Sequence, residues 1–292
     1  MSVGDKWMAP EWLACPEIPQ YSIGWRMGYG EDYGCRLWEW LQTLSDKERE
    51  EYDRLFPRPV FWDDVSVMED GEDLDPSLLY DGEEYFLRHW RPNGQPAYDR
   101  TGLIAELAAG KQVKWVHFWG HTPERDGHIT ETCLSQWWLA EFRVEAQPYC
   151  CMEQFMMAEK ARLFGDKETL EKILEATVQG KIKALGREVK NFDQAEWDKC
   201  KHTIVLTGNI QKFLQNPALK DFLLRTGDKI LVEASPRDRI WGIGMGKDNA
   251  NACNPAAWRG ENRLGFALME VRDELRRVCA NEDKIDWSLG RA

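Results

Sequence analysis

The sequence predicts an α+β fold, helix-rich around a small β-sheet, and three observations predict it. Residues 113–119 and 229–234 are runs of β-branched, aromatic and aliphatic residues that read as strands, and residues 137–144 give another. Between the first and last of these, helix-start signals follow one another without a strand between each pair, so helices do not alternate one for one with strands. A chain of 292 residues, 43% hydrophobic and 30% charged, also has the apolar material to bury a core or two and is not disordered.

In chain order, Ser45 and Glu48 have capping-box spacing, the residues after them favour helix, and Pro57 stops that helix after Phe56. Trp25, Trp38, Trp40 and Trp62 are expected to pack around it, although a tryptophan cluster can also stack on a base or a sugar. Residues 68–84, which include Asp70-Gly71-Glu72-Asp73, read as an exposed acidic loop. Pro148 precedes a helical segment running to Phe164, and Asp166 can cap residues 167–177. Asp193 and Glu196 repeat the capping-box spacing before a helix through about Phe213. Asn216-Pro217 opens another, with Gly227 placed to close it. A final amphipathic helix runs from Asn262 to about Cys279, and no internal repeat is evident.

The charge is unevenly spread. Residues 1–112 hold 11 Lys and Arg against 23 Asp and Glu, whereas residues 113–292 hold 27 of each, so the first part carries the whole net charge of −12. The expected organisation is an acidic, Trp-rich N-terminal extension over 1–112, acting as scaffold or specificity element, and a catalytic domain over 113–292. A net acidic chain argues against charge-driven gripping of long nucleic acid or anionic lipid. No apolar run approaches the ~18 residues that span a bilayer, and the start lacks an apolar signal core, so an intracellular soluble protein, cytoplasmic or nuclear, is expected with no membrane partner. Eight cysteines with an adjacent Cys150-Cys151 pair suit a reduced protein better than a disulfide scaffold. No metal is expected, because no Cys-x-x-Cys occurs and His117 and His121 bracket what reads as a strand end.

Two constellations can carry chemistry. Glu153 and Lys160 are seven apart, which returns to within about 20° of one helix face, two turns on. They can point into one cleft beside Phe155, Met156 and Met157, or form a solvated pair of charges. In the second, the strand ending at Glu233 and Ala234 hands over to a polar turn with Asp238 three residues before Trp241. Gly242, Gly244 and Gly246 before Lys247 fit neither phosphate-loop nor dinucleotide spacing, and unaided they read as a tight turn.

Several stretches occur together in a familiar order. They are Glu153 through Lys160 and Ala161; Lys183-Ala184-Leu185-Gly186-Arg187; Trp197; Lys212-Phe213; Val232-Glu233-Ala234; Asp238 through Gly242; and Trp258-Arg259-Gly260-Glu261-Asn262-Arg263-Leu264-Gly265, followed by Leu268-Met269 and Arg272. In them, residues from about 113 to 277 resemble the NADAR (YbiA-like) family, associated with N-glycosidic chemistry on NAD, ADP-ribose and related ribosides. Two departures stand out: Gln154 where the family often has histidine, and Ser135-Gln136-Trp137 where it often has Ser-Asn-Phe. Glutamine hydrogen-bonds but does not shuttle protons near pH 7.

The resemblance implies a hydrolase that cuts a bond between nitrogen and the anomeric carbon of a ribose. The preferred substrate is ADP-ribosylated guanine, as nucleotide or nucleic acid, with ADP-ribose as product. The alternatives are a glycosidase of ribosylamino-pyrimidine intermediates of riboflavin synthesis and a non-catalytic ADP-ribose-binding module; a protein-interaction scaffold built on residues 1–112 is a further class. Neither cofactor nor obligatory protein partner is implied. The implied catalytic residues are Lys160, forming a Schiff base with the sugar, and Glu153 and Asp238, dividing the acid and base work. On a simpler route water attacks the ribose and Lys160 binds phosphate or orients Glu153. Trp241 would stack on the ligand, Gly242 would let the backbone approach it and Trp197 would wall the pocket. Arg187, Lys212 and Arg239 would meet pyrophosphate, and Asn262 would be among the substrate-binding residues.

Overall fold

The computed structural model describes residues 7–20, 22–62 and 95–290, so the acidic run at 68–84 lies outside the described residues. Helices α1 (Glu11–Ala14), α2 (Tyr29–Gln42) and α3 (Asp46–Leu55) come first. The capping box before α3 is present: Ser45 Oγ accepts from the Glu48 N–H at 3.4 Å, and the Glu48 carboxylate accepts from the Ser45 N–H at 2.8 Å. Trp62 packs 5.6 Å from both Trp12 and Trp25, and Trp40 packs 5.6 Å from Tyr52 of α3. Trp38 departs from the expected cluster and is 63% exposed. It stands about 100° round α2 from the buried Leu37, which turns it outward.

After α4 (Arg100–Ala108), β1 (Trp115–Phe118) leads to the hairpin of β2 (Leu139–Val144) and β3 (Gln147–Cys151), which pair antiparallel. This hairpin corrects two expected boundaries. The second strand starts at Leu139 rather than Trp137, because the Trp137 N–H is held in a turn by Ser135 Oγ at 3.1 Å. The chain after Pro148 is also strand before it is helix: Tyr149 stacks 5.6 Å from Phe142 across the hairpin, so β2 captures it and α5 (Met152–Leu163) starts only at Met152.

Helices α6 (Lys167–Glu175), α7 (Gln179–Arg187), α8 (Gln194–Leu214) and α9 (Pro217–Arg225) follow. Asp166 and Asp193 cap α6 and α8 through bonds to the Thr169 and Glu196 N–H groups at 3.1 and 2.8 Å. Gly227 closes α9 with φ +60°. Helix α7 carries no start signal and was not expected. The last elements are β4 (Ile230–Glu233) and α10 (Arg263–Val278). Strand β4 pairs in parallel with β1, from Trp115 beside Ile230 to Phe118 beside Glu233, so the helices α5 to α9 all lie within the crossover between two paired strands.

Helix α5 runs through the core and is buried on all sides over its first two turns, the polar Glu153, Gln154 and Glu159 included. Helix α10 lies directly on β4: a methyl group on Gly265 would overlap the Leu231 carbonyl oxygen. The compositional border near residue 112 is not a break in packing, since residues on both sides share one hydrophobic core. Trp7 bridges to Ile285, the Val60 N–H donates to Glu274 at 2.7 Å, and Asn281 donates to the Leu55 carbonyl at 2.9 Å. No helix among the described residues is long and apolar enough to cross a membrane.

Candidate active site

Three carboxylates and a lysine come together where α5 begins and β4 ends. Glu153 stands in the first turn of α5, Glu233 is the last residue of β4, and Asp238 lies in the loop that follows. Asn262 fixes the Glu233 backbone. It sits at φ 56°, ψ 32°, a left-handed conformation that asparagine tolerates. Its amide donates to the Leu231 carbonyl at 2.9 Å and accepts from the Glu233 N–H at 2.9 Å, so it pairs with β4 as a neighbouring strand would.

The loop then folds back on the strand end. The Ile243 N–H donates to the Glu233 carbonyl at 2.9 Å, and the Gly242 carbonyl accepts from the Asn262 N–H at 3.1 Å. Asp238 Oδ1 accepts from the Ile240 and Trp241 N–H groups at 2.9 and 2.8 Å, which sets the place of the half-buried Trp241 ring.

Opposite stands α7. Gln179, Lys183 and Arg187 follow at four-residue spacing on one of its faces. Gln179 donates to the Trp137 carbonyl at 3.0 Å, and Lys183 Nζ lies 5.7 Å from the Trp137 ring centre. Burial pushes the Glu153 carboxyl above the usual range, with the Asp238 charge adding to it, while Lys183, the Trp137 side chain and Arg187 favour its anion. Burial, then the charges of Asp238 and Glu153, push Glu233 up to about 8 against the pull of Lys183. Glu153 Oε1 and Glu233 Oε2 are buried without a hydrogen-bond partner. A cluster of this kind retains a proton at neutral pH and is equipped for acid–base work.

Lys160 shares with Glu153 the side of α5 that packs on α7, but at the other end of it, about 10 Å along the helix. Its Nζ donates to the Gly186 carbonyl at 2.6 Å and lies 4.1 Å from the Phe192 ring and 5.8 Å from that of Trp197. Gly186 belongs to the last turn of α7, where carbonyls lack helical partners, so Lys160 caps that helix. Burial pushes its amine below the ordinary range. It makes no ion pair with a carboxylate of the described residues.

Residues 117–276 match the NADAR domain. The chain belongs to the NADAR family. It is 46% identical to N-glycosidase R617 of Acanthamoeba polyphaga mimivirus over 167 residues, 55% of this chain and 96% of that protein. It is 33% identical to a riboflavin biosynthesis protein of Vibrio vulnificus over 117 residues, 40% of this chain and 29% of that one. The solution structure of Escherichia coli YbiA superposes with a TM-score of 0.47 at 24% identity, over 59% of this chain and 89% of that chain.

Within this NADAR domain three expected ligand contacts find other uses. Lys212 is wholly buried and donates to the Cys133 and Ser135 carbonyls at 2.7 and 3.0 Å, with its amine pushed down to about 8 by burial. It anchors the segment that leads into Trp137 and does not face a pyrophosphate. Asn262 is likewise wholly buried and saturated by β4, so it positions Glu233 instead of touching a substrate. At Gly242 the close approach is to the protein itself: a methyl group there would lie 2.9 Å from both the Glu233 carbonyl oxygen and Ser235 Cβ. Arg187 and Arg239 are exposed, and Trp197 is buried beside Lys160.

The sequence reading named Glu233 and Lys183 only as members of matching stretches and Trp137 only in a departure from the family pattern, and gave none of them a site role. The signal for Glu233 was a lone carboxylate closing an apolar strand; that for Lys183 was its four-residue spacing to Arg187. Gln154, where the family often has histidine, points away from the acids. It donates to the Ile173, Leu174 and Ala176 carbonyls and accepts from the Cys150 N–H at 2.7 Å, tying β3 to the end of α6.

Proposed function

We propose that this chain is an N-glycosidase that cleaves the bond between a nitrogen and carbon one of a ribose, and that its substrate is ADP-ribose attached to guanine. The observation that carries the reading is the cluster of Glu153, Glu233 and Asp238 beside Lys183, in which burial and mutual repulsion keep a proton on the acids at neutral pH. Cleavage needs a proton for the departing base and an acceptor for the proton of water, which this set supplies. Trp241 offers a flat face to a base or sugar, and the exposed Arg187 and Arg239 suit a pyrophosphate. The relatives named N-glycosidases favour the reaction class.

On the covalent route the ribose opens to an imine, and the neutral Lys160 amine adds to carbon one and expels the base, leaving a Schiff base that water hydrolyses. Burial of Lys160 among apolar residues favours the neutral amine that this step requires. The relative named for riboflavin biosynthesis favours a second reading, a ribosylamino-pyrimidine as substrate.

Chromatography of products from the pure protein with ADP-ribosylated guanosine and with ribosylamino-pyrimidine tests both. Release of guanosine in preference to the pyrimidine is expected. Binding of ADP-ribose without release of base would refute the enzyme reading. Borohydride during turnover should leave a sugar adduct on Lys160, and full activity without an adduct refutes the covalent route.

A further inference from the structure

We propose that Glu233 is the general acid of this cleavage, giving its proton to the nitrogen as that nitrogen leaves carbon one. The assignment rests on the N-glycosidase reading above and holds for either nucleophile. When the bond breaks, its electron pair goes to an exocyclic nitrogen that is a poor leaving group as an anion, so the nitrogen takes up a proton in the same step. Carbon one then bonds either to water oxygen, whose proton passes to a carboxylate, or to the lysine amine. The acid must therefore be protonated at neutral pH and must reach the cleft.

The three carboxylates divide on those two demands. Glu153 is only 2% exposed, the most deeply buried of the three. Asp238 Oδ1 is taken by two backbone N–H donors, which suits an acceptor. Glu233 is less deeply buried than Glu153, and its Oε2 is buried without a hydrogen-bond partner, so that oxygen can carry a proton that no protein group takes up. Burial and the two neighbouring carboxylates keep it protonated through neutral pH. Its backbone is locked by Asn262 and its carbonyl by Ile243, so the acid is held in place before substrate arrives. This leaves Asp238 as the base at the cleft and Glu153 as the buried neighbour that raises the proton affinity of Glu233.

The test compares ribosides that share a sugar and differ in the base. One carries an ordinary exocyclic amine; another carries a nitro-substituted arylamine, which still opens to an imine but departs as a stabilised anion and needs no proton. Glu233→Gln is expected to lose about 10²–10³-fold in kcat on the first and less than about tenfold on the second, since the proton it withholds matters in one case alone. The alkaline limb of kcat, near pH 8 in the wild type, should vanish in this variant, and Glu233→Asp should recover part of the loss. Equal losses on both ribosides, or an unchanged alkaline limb, overturn the assignment. If Glu233→Gln does not fold, Glu233→Asp carries the same comparison. A wild type that cleaves no riboside overturns the N-glycosidase reading and this assignment together; an active wild type with an indifferent Glu233→Gln overturns the assignment alone.

Discussion

Asn262→Ala tests how β4 and its terminal carboxylate are held. The substitution removes the donor to the Leu231 carbonyl and the acceptor for the Glu233 N–H, both at 2.9 Å, the first buried and the second partly so. Each buried backbone group left unsatisfied costs ~1–3 kcal/mol, so the pair costs about 2–6 kcal/mol. Alanine at φ 56° adds about 1 kcal/mol because its Cβ crowds the following carbonyl. The expected loss is therefore about 3–7 kcal/mol, toward the lower end if water enters the gap. Asn262→Gly removes the backbone strain and none of the hydrogen-bond loss, so it should be more stable than the alanine variant by about 1 kcal/mol and still well below wild type. Urea unfolding followed by tryptophan fluorescence reads both. If Asn262→Ala lies within about 1 kcal/mol of wild type, or Asn262→Gly equals wild type, the side chain is not what secures β4.

Three further outcomes follow from the same geometry. Gly265→Ala should lose more than about 3 kcal/mol or fail to fold, because backbone on β4 blocks its methyl and α10 must lift; a normal melting temperature would show that the two elements do not pack so closely. Glu233→Gln should gain stability on wild type as pH rises. The folded carboxyl titrates near 8 and the unfolded one near 4.3, so the folded chain binds the extra proton between them and wild-type stability falls across that window. At about 1.4 kcal/mol per unit the gain at pH 9 is at most about 5 kcal/mol, and it is absent at pH 4; parallel urea curves at the two pH values would contradict this. Finally, Cys150 is half-buried and its thiol is lowered to about 7 by the Cys151 sulfur 3.8 Å away, so at pH 7.5 iodoacetamide should modify it ahead of Cys15, Cys133 and Cys279, whose thiols are all raised. Peptide mass spectrometry settles the order.

Local chemistry made much of this fold legible. The Ser45, Asp166 and Asp193 caps, the Asn216-Pro217 start and the Gly227 stop each act within four residues, and each is found in place. Strand β3 was not legible because Pro148, Tyr149 and Cys150 become strand through pairing with β2, a contact that periodicity does not carry. Helix α7 was missed because Val178 supplies no capping side chain. In the site, Glu153 and Asp238 were given roles from motif and spacing, whereas Glu233 and Lys183, although inside matching stretches, were given none. Their chemistry arises from burial and from one another's charge, and elements 50 residues apart in sequence bring them together. Lys212 shows the converse: a lysine in a matching motif looks like an anion ligand until its burial against two carbonyls is seen.

Two amines lie between α5 and α7, Lys160 on the first and Lys183 on the second, and electrostatics separates them. Lys183 acts on Glu153 and Glu233, and its charge restrains the rise of both carboxyls. Lys160 has no such counter-charge, and burial alone acts on it, in the direction of the neutral amine. The covalent route proposed above accordingly uses Lys160 to capture the sugar and Lys183 to tune the acids. The 10 Å along α5 between Lys160 and Glu153 then becomes the constraint on the proposed covalent route. Lys160 must exchange its bond to the Gly186 carbonyl for carbon one of the ribose, while Lys183 stays beside the acids and limits the rise of their carboxyls. On that route the substrate spans the stretch between Lys160 and the acid cluster, and the glycine at 186, pressed against Met157, lets α5 and α7 lie close together there.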